Sequence, residues 1–214
     1  MKILNLYAGI GGNRKGWTLS NDDVVVAVEI DPNIAAIYQK EFPNDIVIVG
    51  DAHQYLIEHF REFDFIWSSP PCPTHSKIRK QLAIKKRKDG TIFEQNKPEY
   101  PNMMLYQEII LLEHWYQGYY CIENVIPYYE PLIDAVKLGR HLFWSNLDLE
   151  ELKKYRFEKR SGFDSQDALA AFLGYDISEW HNVDKRLLLR NCVEKDVSMM
   201  IWYKLLSEVE NGRI

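Results

Sequence analysis

Short apolar runs alternate with segments of helical period along the first 125 residues. The runs are ILNLY at 3–7, VVVAV at 24–28, IVIV at 46–49, FDFIW at 63–67 and YYCI at 119–122. Apolar runs of this length predict buried strands, and their alternation with helical patterns predicts parallel strands joined by crossover helices. We therefore predict an α/β fold with a doubly wound, mostly parallel sheet, in which ligands bind beyond the carboxyl ends of the strands.

Several polar–apolar patterns predict helices. Asp31 as N-cap and Pro32 at the first helical position begin a helix that runs through NIAAIYQKEF. The segment NMMLYQEIILLEHWYQ predicts a longer helix before the fifth strand, SQDALAAFLG a short one, and DVSMMIWYKLLSEVE an amphipathic helix near residue 210. RHLFWSNLDL fits a further strand, and the polar segment 78–101 predicts one long surface loop.

Length and composition narrow the class of protein. With 214 residues, 46% of them hydrophobic and 27% charged, the chain is expected to form a single domain over 1–214. It shows no basic apolar leader and no apolar run near the roughly 20 residues that span a bilayer, so we expect a soluble, cytoplasmic protein without membrane contact. The widely spaced Cys72, Cys121 and Cys192 favour neither a disulfide framework nor a metal site.

Charge is unevenly distributed along this chain of net charge −5. The segment KIRKQLAIKKRK, from Lys77 to Lys88, holds seven basic residues and no acidic one. Such a run is usually a solvated loop, but its position directly after Cys72 favours contact with the phosphates of a nucleic acid. The candidate nucleic-acid-binding residues are Ser76, Lys77, Arg79, Lys80, Lys85, Lys86, Arg87 and Lys88.

Acidic residues and glycines follow the first three strands. YAGIGGNRKGW places Gly9, Gly11 and Gly12 after the first strand, but Arg14 stands where a dinucleotide fingerprint has its third glycine. Glu29 follows 20 residues after Gly9, where a carboxylate can bind ribose hydroxyls. Asp51, at the end of the third strand, can accept a hydrogen bond from an adenine amino group. Each feature is common in α/β folds, but together they favour a nucleoside cofactor without pyrophosphate, namely S-adenosylmethionine.

The fourth strand ends in Ser69-Pro70-Pro71-Cys72. Amino-group methyltransferases carry an aromatic ring at the position of Cys72, whereas a thiolate there can add to carbon 6 of a pyrimidine and make carbon 5 nucleophilic. The adjoining basic segment is expected to lower the pKa of Cys72. Cys121, inside a strand, is interpreted as a small buried apolar residue. Glu123, after the fifth strand, can hold a proton on ring nitrogen 3 of the base, the alternative being a helix-capping carboxylate.

The motifs LYAGIGG, EIDP, GDA, PPC, ENV and RNCV occur in this order across nearly the whole chain. In this it resembles the cytosine carbon-5 methyltransferase family, which implies a Rossmann-like S-adenosylmethionine-dependent fold, double-stranded DNA as partner, and a target base flipped out of the duplex. The resemblance implies Cys72 as nucleophile and Glu123 as the group that handles the base. The implied cofactor-binding residues are Tyr7, Ala8, Gly9, Ile10, Gly11, Gly12, Glu29, Ile30, Asp51, Ala52, Pro70, Asn191 and Val193.

The chain departs from the family pattern in three places. PTHS follows Pro71-Cys72 where the family usually has a glutamine. The family's Gln-x-Arg-x-Arg motif is reduced to GRHLFW, which leaves Arg140 as a candidate contact to the base. Only residues 148–190 stand where the family has its target recognition domain, so we expect a minimal remnant or replacement of that domain, or a partner protein that supplies recognition.

These observations leave three hypotheses for the function. The leading one is a DNA cytosine-5 methyltransferase of bacterial or phage type, as in restriction-modification. The second is an RNA cytosine-5 methyltransferase. The third is a catalytically inactive regulatory or DNA-binding protein with the same fold, which the missing recognition domain favours and the intact Cys72 and Glu123 oppose.

Overall fold

A computed structural model describes residues 1–76, 84–86, 89–94, 100–157 and 165–212. Within these ranges the strands are β1 Lys2–Leu6, β2 Val24–Glu29, β3 Ile46–Val49, β4 Phe65–Ser68, β5 Ile84–Lys86, β6 Ile92–Glu94, β7 Tyr119–Val125, β8 Val136–Leu138 and β9 His141–Ser145. The α-helices are α1 Pro32–Glu41, α2 Ala52–His59, α3 Met104–Trp115, α4 Gln166–Leu173, α5 Lys185–Asn191 and α6 Lys195–Glu210.

Seven strands form one sheet in the order β3-β2-β1-β4-β7-β9-β8. The pairs among β3, β2, β1, β4 and β7 are parallel, and β9 runs antiparallel to both β7 and β8. The direction of strand succession reverses between β1 and β4, where Leu6 pairs with Ser68. In an open α/β sheet, this is the place where the loops diverge and leave a crevice for a ligand. The predicted doubly wound, mostly parallel sheet is confirmed.

Helices cover both faces of the sheet because the inner strands are apolar on both sides. Phe65 and Trp67 point to a cluster that includes Trp202 of α6, whereas Ile66 points to the opposite cluster with Leu56 of α2. This alternation follows the two-residue period of a strand, and burial on both faces is typical of parallel sheets. Helices on both faces thus support the edge of the sheet at which the crevice opens.

The predicted start of α1 is confirmed. Asp31 is the N-cap, Pro32 is the first helical residue, and the Asp31 side chain accepts hydrogen bonds from the backbone N–H groups of Asn33 and Ile34. This capping satisfies two donors that a helix leaves unpaired at its first turn. It also fixes the direction in which the chain leaves β2, beside the predicted cofactor residues Glu29 and Ile30.

The prediction of one long loop over 78–101 is wrong in part, because β5 and β6 form an antiparallel pair within it. Asp89 and Gly90 lie between them, with Gly90 at φ +90° and Asp89 accepting from the backbone N–H of Thr91. An Asp-Gly pair between short strands is a strong hairpin signal. The basic composition of the segment outweighed this signal in the sequence interpretation.

Helices α4 and α5, with the chain that joins them, pack as one apolar unit against the loop that follows β1. This loop, residues 7–18, is called the glycine loop below. Ile10 lies in their cluster with Leu169, Leu173 and Leu189. The Tyr175 hydroxyl donates to the Ile10 carbonyl at 2.9 Å. The described part of residues 148–190 thus contacts the loop that follows β1. None of the helices in the described ranges is long and apolar enough to cross a membrane.

Candidate active site

The loop after β1 combines left-handed backbone with an open side. Tyr7 and Gly9 have φ values of +53° and +54°. A Cβ added to Gly9 would meet no atom within 4 Å, whereas one added to Gly12 would lie 2.6 Å from Cys192 Cβ. Gly12 therefore permits close packing against the α5–α6 junction, and Gly9 leaves space open at the crevice. That open space is what a bound nucleoside cofactor requires.

Glu29 lies at the end of β2 and is almost fully buried. Its two carboxylate oxygens accept from the backbone N–H groups of Gly9 at 2.9 Å and Asp31 at 3.0 Å. Each carboxylate oxygen can accept a second hydrogen bond, so both remain able to bind a ribose hydroxyl. Ile30 beside it is 68% exposed, an unusual exposure for a large apolar residue at a strand end.

Asp51 follows β3 and is the N-cap of α2. Its Oδ1 accepts from the backbone N–H of Gln54 at 3.0 Å, which leaves Oδ2 for another donor. The adjacent Ala52 is buried. The predicted cofactor residues therefore lie along the carboxyl edge of the neighbouring strands β1, β2 and β3, namely Tyr7, Gly9, Glu29, Ile30 and Asp51.

The other predicted cofactor residues are placed differently. Ala8 and Ile10 are buried, and Ile10 packs on α4 and α5 rather than into the crevice. Val193 lies in the core cluster beneath α6, and Asn191 is exposed at the end of α5. Gly11, at φ +81°, continues the left-handed backbone of the loop. These residues shape the loop through packing and backbone conformation.

Cys72 is half-buried in a tight turn that follows β4. Its carbonyl oxygen accepts from the backbone N–H groups of His75 at 3.0 Å and Ser76 at 3.2 Å. The amide of Asn124 donates to the Pro70 carbonyl at 2.9 Å, and Ser76 pairs with Pro127 beyond β7. The loop that carries Cys72, called the nucleophile loop below for the predicted role of this residue, is thus attached to β7 and the chain just beyond it on both sides of Cys72. The sequence interpretation did not identify Asn124, whose available signal was its position next to Glu123.

The pKa of Cys72 is raised, so the expectation of a lowered value is wrong. Burial of the thiol is the largest cause, the negative charge of Glu123 adds to it, and Arg140 opposes it. Low-dielectric surroundings and a neighbouring carboxylate both disfavour the thiolate. Both causes favour the protonated thiol of Cys72 over the thiolate.

Glu123 is buried in β7 and faces a row of polar side chains. Its Oε1 is 3.5 Å from Nε2 of His141, and Nδ1 of His141 is 3.2 Å from Oε2 of Glu194. Glu194 in turn pairs with Arg140. The register explains the approach, because His141 of β9 pairs with Val125 of β7, two residues beyond Glu123. His141 thus contacts the predicted catalytic carboxylate, and the sequence interpretation did not identify it.

Arg140 lies at the far end of this row. It donates to Glu194 and to the carbonyl oxygens of Arg190 at 2.7 Å and Cys192 at 3.0 Å. Its guanidinium therefore links the edge of the sheet to the α5–α6 junction. The contact with Glu123 is made by His141, one residue later in GRHLFW.

Most of the predicted nucleic-acid-binding segment lies outside the described residues. Ser76 is described, at its bridge with Pro127, and the backbone of Lys85 and Lys86 belongs to β5. The residues outside the described ranges are Lys77, Arg79, Lys80, Arg87 and Lys88. Among the described residues, no cluster of His, Cys, Asp and Glu side chains could hold a metal ion.

Sequence comparison finds similarity to methyltransferases with different printed descriptions. Residues 1–97 match the family described as C-5 cytosine-specific DNA methylase. The Type II methyltransferase M.Bsp6I of Bacillus sp. (strain RFL6) is 31% identical over 94 residues, which cover 44% of this chain and 30% of the relative. A tRNA (cytosine(38)-C(5))-methyltransferase of Spodoptera frugiperda is 33% identical over 85 residues, 38% of this chain and 26% of the relative.

Structure comparison finds similarity to the crystal structure of a DNMT2 mutant from Spodoptera frugiperda, with 26% sequence identity and a TM-score of 0.36. The superposition covers 58% of this chain and 35% of the DNMT2 chain. The fold is assigned from the strand order and from the crevice between β1 and β4. The matches span about a quarter to a third of the length of these curated relatives. The matched residues 1–97, which include the glycine loop, Glu29, Asp51 and Pro71-Cys72, are thus similar to the C-5 cytosine-specific DNA methylase family.

Proposed function

We propose that this protein transfers a methyl group from S-adenosylmethionine to carbon 5 of a cytosine in DNA, through a covalent bond between Cys72 and carbon 6 of the base. The observation that carries the proposal is the pairing of Cys72 with Glu123. Cys72 lies in the turn after β4, and Glu123 lies in β7, the parallel neighbour of β4. The two side chains are close enough for the charge of Glu123 to raise the pKa of Cys72.

The coupling of the two groups suggests how a thiol becomes a nucleophile here. Transfer of the Cys72 proton to Glu123 leaves a thiolate beside a neutral carboxyl group, which removes the repulsion between the two charges. The carboxyl group then donates its proton to nitrogen 3 of the base as the thiolate adds to carbon 6. The product is an enamine whose carbon 5 is nucleophilic.

The remaining steps restore both groups. S-adenosylmethionine, when bound, supplies an electrophilic methyl group within reach of carbon 5. Loss of the carbon 5 proton to water and expulsion of the Cys72 thiolate re-form the double bond between carbons 5 and 6. The proton on nitrogen 3 returns to Glu123 and from there to the Cys72 thiolate, which restores the thiol and the carboxylate. His141 stays in contact with Glu123 and holds its orientation during both proton transfers.

The cofactor is proposed to bind along the edge formed by the loop after β1 and the ends of β2 and β3. Glu29 would accept hydrogen bonds from the ribose hydroxyls, Ile30 would pack on the adenine ring, and Asp51 would accept from its amino group. Pro70 borders this edge from the nucleophile loop, where its carbonyl is fixed by Asn124. The open side of Gly9 leaves room for the methionine part.

DNA is the proposed substrate because the matching family is described as a DNA methylase and because the segment after Cys72 is basic. RNA is the second candidate. It is favoured by the 33% identity to a tRNA methyltransferase, which is similar to the identity with the DNA-modifying relatives. In both cases the base must leave its stack to reach Cys72.

Nucleoside analysis after incubation with labelled S-adenosylmethionine and either duplex DNA or RNA tests the proposal. We expect 5-methylcytosine in the DNA sample, and none with Cys72→Ser. Cys121→Ala, which alters a fully buried cysteine, is the matched control and should retain activity. Label in RNA alone would favour the second candidate. Cofactor binding without transfer to either polymer would identify an inactive member of the fold.

Target recognition by this chain is proposed to be weak. The described part of residues 148–190 packs against the glycine loop, so the α4–α5 unit would support the cofactor site rather than read bases. A partner protein remains the proposed source of sequence recognition. Competition binding with duplexes of unrelated sequence should give equal affinities for the chain alone, and a strong preference would contradict this.

A further inference from the structure

Glu108, in the middle of α3, is fully buried and receives hydrogen bonds from three different elements. Its Oε1 accepts from the Tyr7 hydroxyl at 2.6 Å and lies 3.0 Å from Nδ1 of His53. Its Oε2 accepts from the Ser68 hydroxyl at 2.7 Å. A buried carboxylate is costly unless its oxygens are well paired. Here three donors offset that cost.

The three donors stand where the loops of the candidate site begin. Tyr7 directly follows β1 and precedes the glycine loop. Ser68 ends β4, four residues before Cys72, and His53 follows Asp51 by two residues in the first turn of α2. Leu6 and Ser68 are paired across the point where strand succession reverses. Glu108 therefore lies at the floor of the crevice, beneath all three loops.

We propose that Glu108 is a positioning residue for the cofactor pocket, which holds the loops after β1, β3 and β4 in one binding geometry through Tyr7, His53 and Ser68. The inference rests on the proposed function, because it concerns the affinity for S-adenosylmethionine. A residue of α3, a helix outside the cofactor motifs, would thereby control the shape of the pocket.

The hydrogen bond to Tyr7 stabilises an unfavourable backbone. A non-glycine residue at φ +53° is strained and persists only where its surroundings fix it. Burial raises the pKa of Tyr7, and the charge of Glu108 raises it further, so its hydroxyl keeps its proton and remains a donor. Without Glu108, Tyr7 would lose the contact that fixes the entry to the glycine loop.

His53 makes the arrangement sensitive to pH. Its hydrogen bond to Glu108 is the largest cause that raises its pKa; burial opposes this, and the charges of Glu108 and Asp51 add to the rise. The groups that face it are Glu108 from α3, Tyr7 on the same carboxylate oxygen, and Asp51 at the start of its own helix. The charged pair with Glu108 is present below the pKa of His53 and is lost as the pH rises through it.

Calorimetric titration of S-adenosylmethionine into wild type, Glu108→Gln, His53→Gln and Glu113→Gln tests the inference. Glu113 is exposed on the same helix and provides the matched control, with wild-type affinity expected. Glu108→Gln keeps the volume but removes the charge, and we expect affinity about tenfold weaker. Circular dichroism and thermal melts establish that each variant is folded.

A pH series separates positioning from general support of the fold. Wild-type affinity, relative to that of His53→Gln, should be highest below the pKa of His53 and should fall as the pH rises through it. The cofactor's own titration is common to both proteins and cancels in this ratio. If Glu108→Gln fails to fold, Tyr7→Phe and the His53→Gln series still decide the question.

Three outcomes overturn the inference. The first is wild-type affinity in both Glu108→Gln and His53→Gln, and the second is a ratio that does not change with pH. Loss of thermal stability without loss of affinity would likewise reduce Glu108 to a purely structural role. Absence of binding by wild type would overturn the proposed function itself, and that result is distinct from the others.

Discussion

At the level of single residues, the candidate site places the buried carboxylate of Glu123 near the half-buried thiol of Cys72. Burial and the neighbouring Glu123 raise the pKa of the Cys72 thiol, and Glu123 itself is enclosed beside His141. Both effects disfavour the thiolate, and the second depends on the charge of the carboxylate. The reactivity of Cys72 should therefore report on the charge of Glu123 even when no substrate is present.

Glu123→Gln should increase the rate at which iodoacetamide alkylates Cys72 at pH 8. Removal of the carboxylate charge lowers the pKa of the thiol, and more thiolate is then present at a given pH. Peptide mass spectrometry resolves Cys72 from Cys121 and Cys192, which are buried. Glu113→Gln is the control on an exposed carboxylate and should react like wild type. An equal rate in both variants would mean that Glu123 does not influence the thiol.

Glu29→Ala should weaken the binding of S-adenosylmethionine, because each charge-assisted hydrogen bond to a ribose hydroxyl contributes about 1.5–3 kcal/mol. The substitution also releases the backbone N–H groups of Gly9 and Asp31, which loosens the loop. Glu58→Ala, on the exposed face of α2, should bind normally. Calorimetry that shows unchanged affinity for Glu29→Ala would remove this residue from the site.

At the level of elements, the glycine loop determines how much room the cofactor has. Gly9→Ala and Gly174→Ala both place a Cβ on left-handed backbone, at φ +54° and +72°, without a steric clash. Each should lower stability by about 1–2 kcal/mol. Only Gly9→Ala should also weaken cofactor binding, since its methyl group would project into the open crevice. Equal cofactor affinities in the two variants would show that the crevice is not the cofactor site.

The sequence predicted the elements that carry a strong local signal. The five predicted strands, β1 to β4 and β7, are apolar runs of four or more residues, and α1 has both Asp31 as cap and Pro32 at its first position. Helix α2 was not predicted because its cap, Asp51, was interpreted only as a ligand. Strands β5, β6 and β8 have three residues each, too few to show any period.

The residues of the candidate site likewise divide into those that the sequence predicted and those that it did not. Glu29, Cys72 and Glu123 were predicted from the order of the motifs, with Glu29 at the end of β2 and Cys72 in the turn after β4. Glu123 was expected at the end of its strand but lies within β7. His141 and Glu108 were not predicted, because their roles depend on pairing partners far along the chain. His141 reaches Glu123 through the antiparallel register of β9 on β7, and Glu108 reaches Tyr7 across 101 positions. Neither register nor helix rotation is encoded in a local pattern.

At the level of the whole molecule, an acidic protein of net charge −5 carries a basic segment beside its nucleophile. Replacement of Lys85 and Lys86 by alanine should weaken binding to all DNA sequences alike. The slope of log affinity against log salt should fall by about 0.9 for each phosphate that the variant no longer neutralises. Lys153→Ala with Lys154→Ala, a second adjacent pair, is the control. Unchanged salt titrations in the first pair would identify the segment as a solvated loop.

The attachment of the glycine loop to distant parts of the chain has a consequence for biosynthesis. The Ile10 carbonyl is bound by Tyr175, 165 positions later, and the Thr18 carbonyl by Trp202, 184 positions later. During translation the amino-terminal strands leave the ribosome first, and both partners emerge only after many further residues have been made. In the nascent chain, the loop after β1 therefore stays without these two contacts until Tyr175 and Trp202 have emerged.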